Sequence, residues 1–445
     1  MPRIIDCHVH SLADSQVDYA RELGYDKVCL IEFRAEVLEQ ALRKHPDFVL
    51  GVGWLPLDKD IPSSLRAIDQ FRDLGCRGYK ICFTNAPYDD ELFYPVYEKI
   101  QACNMPVFFH TGWLYQQLCY ALYPNTGRPK AEYYSPMRLD RLALDFPRLR
   151  MVAYHFGGTH ASDCALLMSN HPNIYADTCR NFEPFDHFNG QIGGNTGTVF
   201  GKLVVGTDGM QSRQKVAERI QGLQRLMDHF QLGAGLRDRI WYKTALRILG
   251  LDEELKRAAT ARKAAGPVNL ETVLQNSLNL PAASGFVDRL GEKVQAETRC
   301  HIGYTSSGVQ FSFFCQDPKP SALAISQNPP LGQLWQDDCV EIFIAPKNDG
   351  SYYHVVASAG GRALIQSGRY GDAQELPAQA RIGAHGWATT VELPFALLKS
   401  SPDGAQRWGL NLCRNKVSAP SEASSWNEVA STFHDVSGFG RLKFE

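Results

Sequence analysis

At 445 residues the chain is too long for one ordinary hydrophobic core, so two or three domains are expected. Hydrophobic residues at 44%, charged residues at 21% and a formal net charge of −2 describe a soluble globular protein, with no electrostatic footing for a nucleic acid or a membrane surface. No run of about 18 apolar residues occurs and no basic-then-apolar leader opens the chain, so no membrane partner and a cytoplasmic location are expected.

In chain order, short apolar runs alternate with longer amphipathic segments over the first 250 residues. The runs cover 3–10, 27–31, 48–54, 78–83, 106–112, 150–158, 173–178 and 202–209, and helix-like stretches such as 35–44, 63–74, 92–103 and 138–145 lie between them. Strand–helix alternation predicts parallel strands, and eight repeats in this length fit an α/β TIM (β/α)8 barrel. An open doubly wound sheet is the competing architecture, but no Gly-rich phosphate turn follows the first run. Helices over 212–231 and 236–249 then end a barrel domain at 1–252. The segment 253–284, rich in Ala and charge and broken at Gly266-Pro267, reads as a helical linker. From 285 to 445 the period changes to two, in runs such as 309–315, 339–345, 352–358, 388–393 and 408–413 separated by Gly, Pro and Asp. This pattern predicts an all-β sandwich. The twelve cysteines are scattered, without a CxxC pair, and Cys29, Cys82 and Cys339 sit inside apolar runs. They read as small core hydrophobes in a reducing compartment.

The barrel runs end in polar residues, and C-terminal strand ends are where barrels of this kind do chemistry. The first run, I-I-D-C-H-V-H, places His8 and His10 on one strand face, shared with Asp6. The fifth ends in His110, the sixth in His155 and the eighth in Asp208. Histidines and a carboxylate converging on one rim make a site for a first-row divalent metal, whereas any one of them alone is an ordinary polar strand end.

This constellation resembles the amidohydrolase superfamily, in the branch called amidohydrolase-related or amidohydrolase 2. The resemblance rests on Asp6-x-His8-x-His10, the stretch 106–112 around His110, His155 with Phe156-Gly157-Gly158, the strand ending in Asp177, Gly206-Thr207-Asp208, and 43–48 ahead of the third strand. It covers residues 1–250. Two departures are visible: many relatives read G-S-D-Y-P where this chain has Gly206-Thr207-Asp208-Gly209-Met210, and N-A where it has Thr244-Ala245. The resemblance implies His8, His10, His110 and Asp208 as ligands of one divalent ion, zinc first, with manganese or iron as the other candidates. It implies His155 beside the metal as a catalytic group, with a free Asp208 oxygen as the alternative proton acceptor. Lys80, on the fourth strand, is expected to anchor a substrate carboxylate or to form a salt bridge near the rim; bridging of two metals by a modified lysine is the competing role. Trp113 and Arg128, in the long loop after the fifth strand, are expected to cover the pocket, Arg180 to bind an anion, and Asp177 to support the site from behind.

The second module resembles the carbohydrate-binding modules of family 9 over about 290–445. The residues that carry this are 334–344 with its W-x-D-D-x-V-E-I-F phrase, the strand near Arg362, Trp387 leading to Pro394, 411–414, Trp426 and the closing 433–440. Sugar binding would use Trp335 and Trp426 as stacking platforms and Glu341, Arg362 and Asn411 as hydroxyl partners. Trp335 and Trp387 as core packing, and the module as a docking surface on the barrel or as an oligomer interface in a homodimer, are the competing readings.

The expected function is metal-dependent hydrolysis of a small-molecule ester, lactone or amide, with a carbohydrate-derived substrate as one class. A metal-dependent non-oxidative decarboxylase is the alternative, and a non-catalytic sugar-binding or scaffold protein is a third reading against which the intact ligand set argues.

Overall fold

A computed structural model describes the chain apart from residues 1, 58–59, 113–129, 181, 184, 211, 265, 267, 276–280, 348, 404–406 and 430–431. Its two compact units are Met1–Glu253 and Glu254–Glu445.

In the first unit, β1 (Ile4–Val9), β2 (Tyr25–Glu32), β3 (Val49–Pro56), β4 (Gly78–Cys82), β5 (Val107–His110), β6 (Met151–Tyr154), β7 (Ile174–Asp177) and β8 (Leu203–Val204) pair in sequence order. Each strand lies parallel to the next, so each connection must cross back over the sheet, and helices such as Ala35–Lys44 and Ile61–Asp73 do so. The second of these starts where the Asp60 carboxylate accepts from the Ser63 N–H, and it buries Ile68 and Phe71 against the barrel. The ring closes where Asp6 bridges Val205 and the Cys7 N–H donates to the Val205 carbonyl at 2.8 Å. All of β1 is buried, as befits a strand covered on both faces, which explains its continuous apolar character.

The C-terminal strand ends are strained. Phe83 after β4, His155 and Phe156 after β6, and Asp208 after β8 have φ of 58°, 63°, 49° and 58°. Left-handed backbone at a non-glycine residue costs about 1–3 kcal/mol and persists only where the surroundings demand it. Two of these four residues are the candidate site residues His155 and Asp208.

The second unit is a β-sandwich of β9 (Ala258–Lys263), β10 (Ala282–Ala283), β11 (Val287–Asp288), β12 (Thr298–Tyr304), β13 (Gly308–Gln316), β14 (Cys339–Ala345), β15 (Tyr353–Ser358), β16 (Ala363–Ser367), β17 (Gln374–Leu376), β18 (Ala378–Gly383), β19 (Gly386–Pro394), β20 (Trp408–Lys416), β21 (Glu422–Ser425) and β22 (Gly440–Phe444). One sheet runs β17-β16-β15-β14-β20-β22 and the other β12-β13-β19-β18. Alternate residues of facing strands fill the core: Val340, Ile342 and Ile344 from β14, Val309, Phe311 and Phe313 from β13, with Trp387 and Trp408.

The expected helical linker over 253–284 is corrected here. Among the described residues helix is confined to single turns at Asp252–Leu255 and Leu270–Leu274, while β9 pairs in parallel with β22 through Ala258–Ala261 and with β12 through Arg262 and Lys263. Alanine's helix preference amounts to tenths of a kcal/mol per residue, and two flanking ladders with Ala261 buried outweigh it.

The sandwich core makes a direct prediction. Ile342→Ala should lower the stability of this unit by about 2–5 kcal/mol in urea unfolding; a change below about 1 kcal/mol would show that the inner face has been misassigned.

Candidate metal centre

The site is built outward from His8. Its ring is fully buried at the end of β1, and its Nδ1 lies 2.6 Å from Oδ2 of Asp177, the last residue of β7. That contact fixes the tautomer: Nδ1 carries the proton, and Nε2 presents a lone pair. Nε2 stands 3.1 Å from Nε2 of His10 and 3.2 Å from Oδ1 of Asp208, while His10 Nε2 stands 3.5 Å from the same oxygen. Donor atoms bound at about 2.0–2.1 Å to a tetrahedral ion are about 3.3 Å apart, so these three separations are those of neighbouring ligands around one cation. His155 belongs to the same cluster, offering a ligand atom within 4.8 Å of His8 and Asp208. Its ring centroid lies 5.2 Å from that of His8 and 4.6 Å from that of His110. Five segments distant in sequence thus meet at one mouth.

The supporting contacts are equally specific. Asp177 Oδ1 accepts from the backbone N–H of His155 at 2.6 Å. The ring of His8 stacks on Tyr154 at 3.7 Å. Asp6 does not face the cluster: it accepts from the His8 N–H at 2.9 Å and from the Thr207 hydroxyl at 2.6 Å, tying β1 to the segment that leads into Asp208. Gly206 is required by close approach, since a Cβ there would lie 2.5 Å from Asp177 Oδ2.

The electrostatics call for a cation. Burial works against protonation of His8, yet its hydrogen bonds to Asp177 and Asp208 outweigh it and raise its pKa. Burial opposes ionisation of Asp208, but the hydrogen bond with His8 and the neighbouring histidines hold the carboxyl below its usual range. Burial, reinforced by His8 and Lys80, brings His10 down to about 3; burial, with His8 next, brings His155 to about 4. The neutral imidazoles of His10 and His155 beside the ionised Asp208 are donor types that suit a divalent metal.

Lys80 is 1% exposed, and its Nζ has no hydrogen-bond partner among the described residues. The ammonium lies 3.9 Å from the centroid of Tyr154, on which His8 also stacks, and burial lowers its pKa to about 8. The Arg180 guanidinium lies over Phe156 and Phe182 and lines a cavity beneath the helix Arg213–His229. Trp113 and Arg128 lie outside the described residues. Tyr154, and an aromatic wall of Trp54 and Phe83 beside His10, went unnoticed in the sequence because they sit inside apolar runs, where nothing separates them from core packing.

In the sandwich, two expected sugar contacts are corrected. Asn411 is fully buried, its carbonyl oxygen accepting from the N–H groups of Leu412 and Asn427, and Trp426 is in the core. Asn411 shares the outer face of its strand with Phe343 and Cys413 and is covered there by the segment at Asn427, while Trp426 follows the end of β21 into the core. Glu341 is buried, paired with His354 Nε2 at 2.6 Å. Arg362 bonds Glu375 and the Pro329 carbonyl. Trp335, half exposed, presents its ring at the surface.

The barrel and its rim define a class, a (β/α)8 protein with a histidine–carboxylate cluster at the strand ends that could hold a metal ion. Residues 5–251 match the family model described as Amidohydrolase, and the chain belongs to that family. Residues 293–444 match the model of carbohydrate-binding family 9. A search of curated proteins returns no match. Among solved structures, 2,6-dihydroxybenzoate decarboxylase from Rhizobium is 16% identical, covering 57% of this chain and all of that one with a TM-score of 0.43. The 5-carboxyvanillate decarboxylase from Sphingomonas paucimobilis is 14% identical over 56% of this chain and 99% of that one, TM-score 0.41. A family 9 module from Caldicellulosiruptor kristjanssonii in complex with cellotriose is 13% identical over 42% of this chain and 94% of that one, TM-score 0.31.

Two predictions follow from these contacts. Gly206→Ala should push Asp177 off His8 and weaken retention of added zinc about 10- to 100-fold by metal analysis after dialysis; unchanged retention would remove Asp177 from the support of the site. In the sandwich, burial and then His354 hold His434 down to about 4, while Tyr352, Glu341 and Arg369 also face it. The unfolded chain therefore binds the extra proton between pH 6.5 and 4, and stability should fall as pH drops through that window. His434→Asn should flatten the fall in a pH series of thermal unfolding curves.

Proposed function

We propose that the barrel is a metal-dependent hydrolase of a small-molecule ester, lactone or amide. The supporting observation is the approach of His8 Nε2, His10 Nε2 and Asp208 Oδ1 to within 3.5 Å of one another, with the other nitrogen of His8 committed to Asp177. His8, His10, His110 and Asp208 would hold one divalent ion, zinc before manganese or iron. Bound there, the ion would acidify water and polarise a carbonyl.

The remaining steps belong to the chain. His155 stays neutral through the physiological range, and its Nδ1 faces the Cys179 carbonyl at 3.4 Å, so Nε2 is left as the proton acceptor. It takes the proton of the attacking water and returns it to the leaving group. An Asp208 oxygen is the alternative acceptor. Lys80 holds a substrate anion from below, and the Trp54–Phe83 wall flanks an apolar body. In the second unit, Trp335 and Arg362 are the sugar contacts whose side chains lie at the surface, and a carbohydrate-derived substrate suits that pairing of modules.

One observation favours a second reading. A buried ammonium without a hydrogen-bond partner suits the carboxylate of an acid that loses CO₂ without oxidation. Headspace CO₂ against simple acid release from candidate substrates separates the two reactions.

His8→Ala and Asp208→Ala should each abolish metal retention and turnover together. His155→Ala should keep the metal and lower kcat about 10²- to 10⁴-fold. Loss of metal from His155→Ala would move that residue into the ligand set and end its role as base.

A further inference from the structure

A cavity of about 520 Å³ lies between the wall at β7–β8 and the helix Arg213–His229, and none of the metal-site side chains lines it. Its size is that of small-molecule sites. Phe182, Phe185 and Trp241 supply apolar walls; Arg180, Lys215, Arg219 and Arg225 bring four cations against two carboxylates, Glu183 and Glu218. Both carboxylates are engaged: Glu183 pairs with Arg225 at 3.3 Å, and Glu218 accepts from Gln214 at 2.8 Å. The surplus charge beside aromatic walls matches an amphipathic organic anion, a carboxylate on an apolar body.

The cavity and the metal centre share their partitions. Thr178, Cys179 and Arg180 line the cavity, yet the Cys179 carbonyl faces His155. Gly206 and Thr207 line it too, and the next residue is Asp208. Arg219 donates to the Thr207 carbonyl, and Thr207 in turn holds Asp6, which holds the His8 N–H. A carboxylate that engaged Arg219 would pull on the segment that positions Asp208.

We propose that this cavity is a second site, for an organic monocarboxylate with an apolar body, and that its occupant modulates the metal centre through Arg219 and Thr207. The probe is 3-phenylpropionate, titrated calorimetrically into the full chain. One site per chain is expected. Arg219→Gln should weaken binding about tenfold or more. Gly222→Phe should abolish it by filling the cavity; a Cβ at Gly222 meets only Arg225 Nη2 at 3.7 Å, so no backbone atom stands against the new side chain's first carbon. With both chains stripped of metal, His8→Ala should leave the affinity within about twofold, and saturating probe should change the zinc affinity of the unaltered chain, read by chelator competition, by about threefold or more. The site is overturned by the absence of saturable heat up to about 10 mM probe, or by binding that survives both cavity variants and is lost in His8→Ala. Equal zinc affinities with and without bound probe overturn the coupling. Because binding is read without turnover, the result stands apart from the hydrolase reading.

Discussion

The bond between His8 Nδ1 and Asp177 Oδ2 is the contact on which the centre turns. Without it the buried ring is free to carry its proton on either nitrogen, and a protonated Nε2 facing His10 and Asp208 would be a donor where a ligand is needed. With it, the lone pair is fixed in direction and its basicity is raised by the carboxylate behind it. The same carboxylate is used twice, because Oδ1 accepts from the backbone of His155. One side chain on β7 therefore orients groups on β1 and just after β6, and the space it needs is kept by Gly206, just after β8. This economy makes the site sensitive to a single methyl group at Gly206.

That arrangement is held against backbone strain. His155 and Asp208 both leave their strands through left-handed conformations, which turn their side chains back toward His8 instead of letting them follow the loop outward. The restraint comes from Asp6, whose carboxylate bonds Thr207 on one side of Asp208's turn and the His8 backbone on the other. Burial pushes Asp6 up to about 6, so ionising it in this position is itself unfavourable, and its hydrogen bonds offset part of that cost. The first motif of the chain thus divides its labour: Asp6 is a fastener, while His8 and His10 turn their ring nitrogens to the cluster.

The barrel was legible because eight apolar runs with helices between them admit few topologies, and each run falls on a strand of the ring. The rim was legible because a polar side chain closing an apolar run is conspicuous. What stayed hidden has a common cause: a side chain that belongs equally well to a core. Tyr154 and Trp54 were invisible among apolar neighbours, and β9 was obscured by alanines whose partners lie nearly two hundred residues away at the C-terminus. Asn411 and Trp426 failed in the opposite direction. Their residue types suit sugar recognition, but Asn411, on the outer face of β20, is covered by the segment at Asn427, and Trp426 lies beyond β21, where no alternation reaches it.

The charge balance of the mouth says which cation suits it. Lys80 is the one buried ammonium named in the site, and Asp6, Asp177 and Asp208 are carboxylates around the same histidines. With the imidazoles neutral, the three carboxylates exceed the ammonium by two charges in a setting largely shut off from solvent. A proton on His8 relieves one of them, which is the sense of that residue's raised affinity for protons. A divalent ion relieves both, and it does so at the point toward which the lone pairs of His8 and His10 and the oxygen of Asp208 converge. A monovalent ion would leave one of the two charges unrelieved in that buried setting.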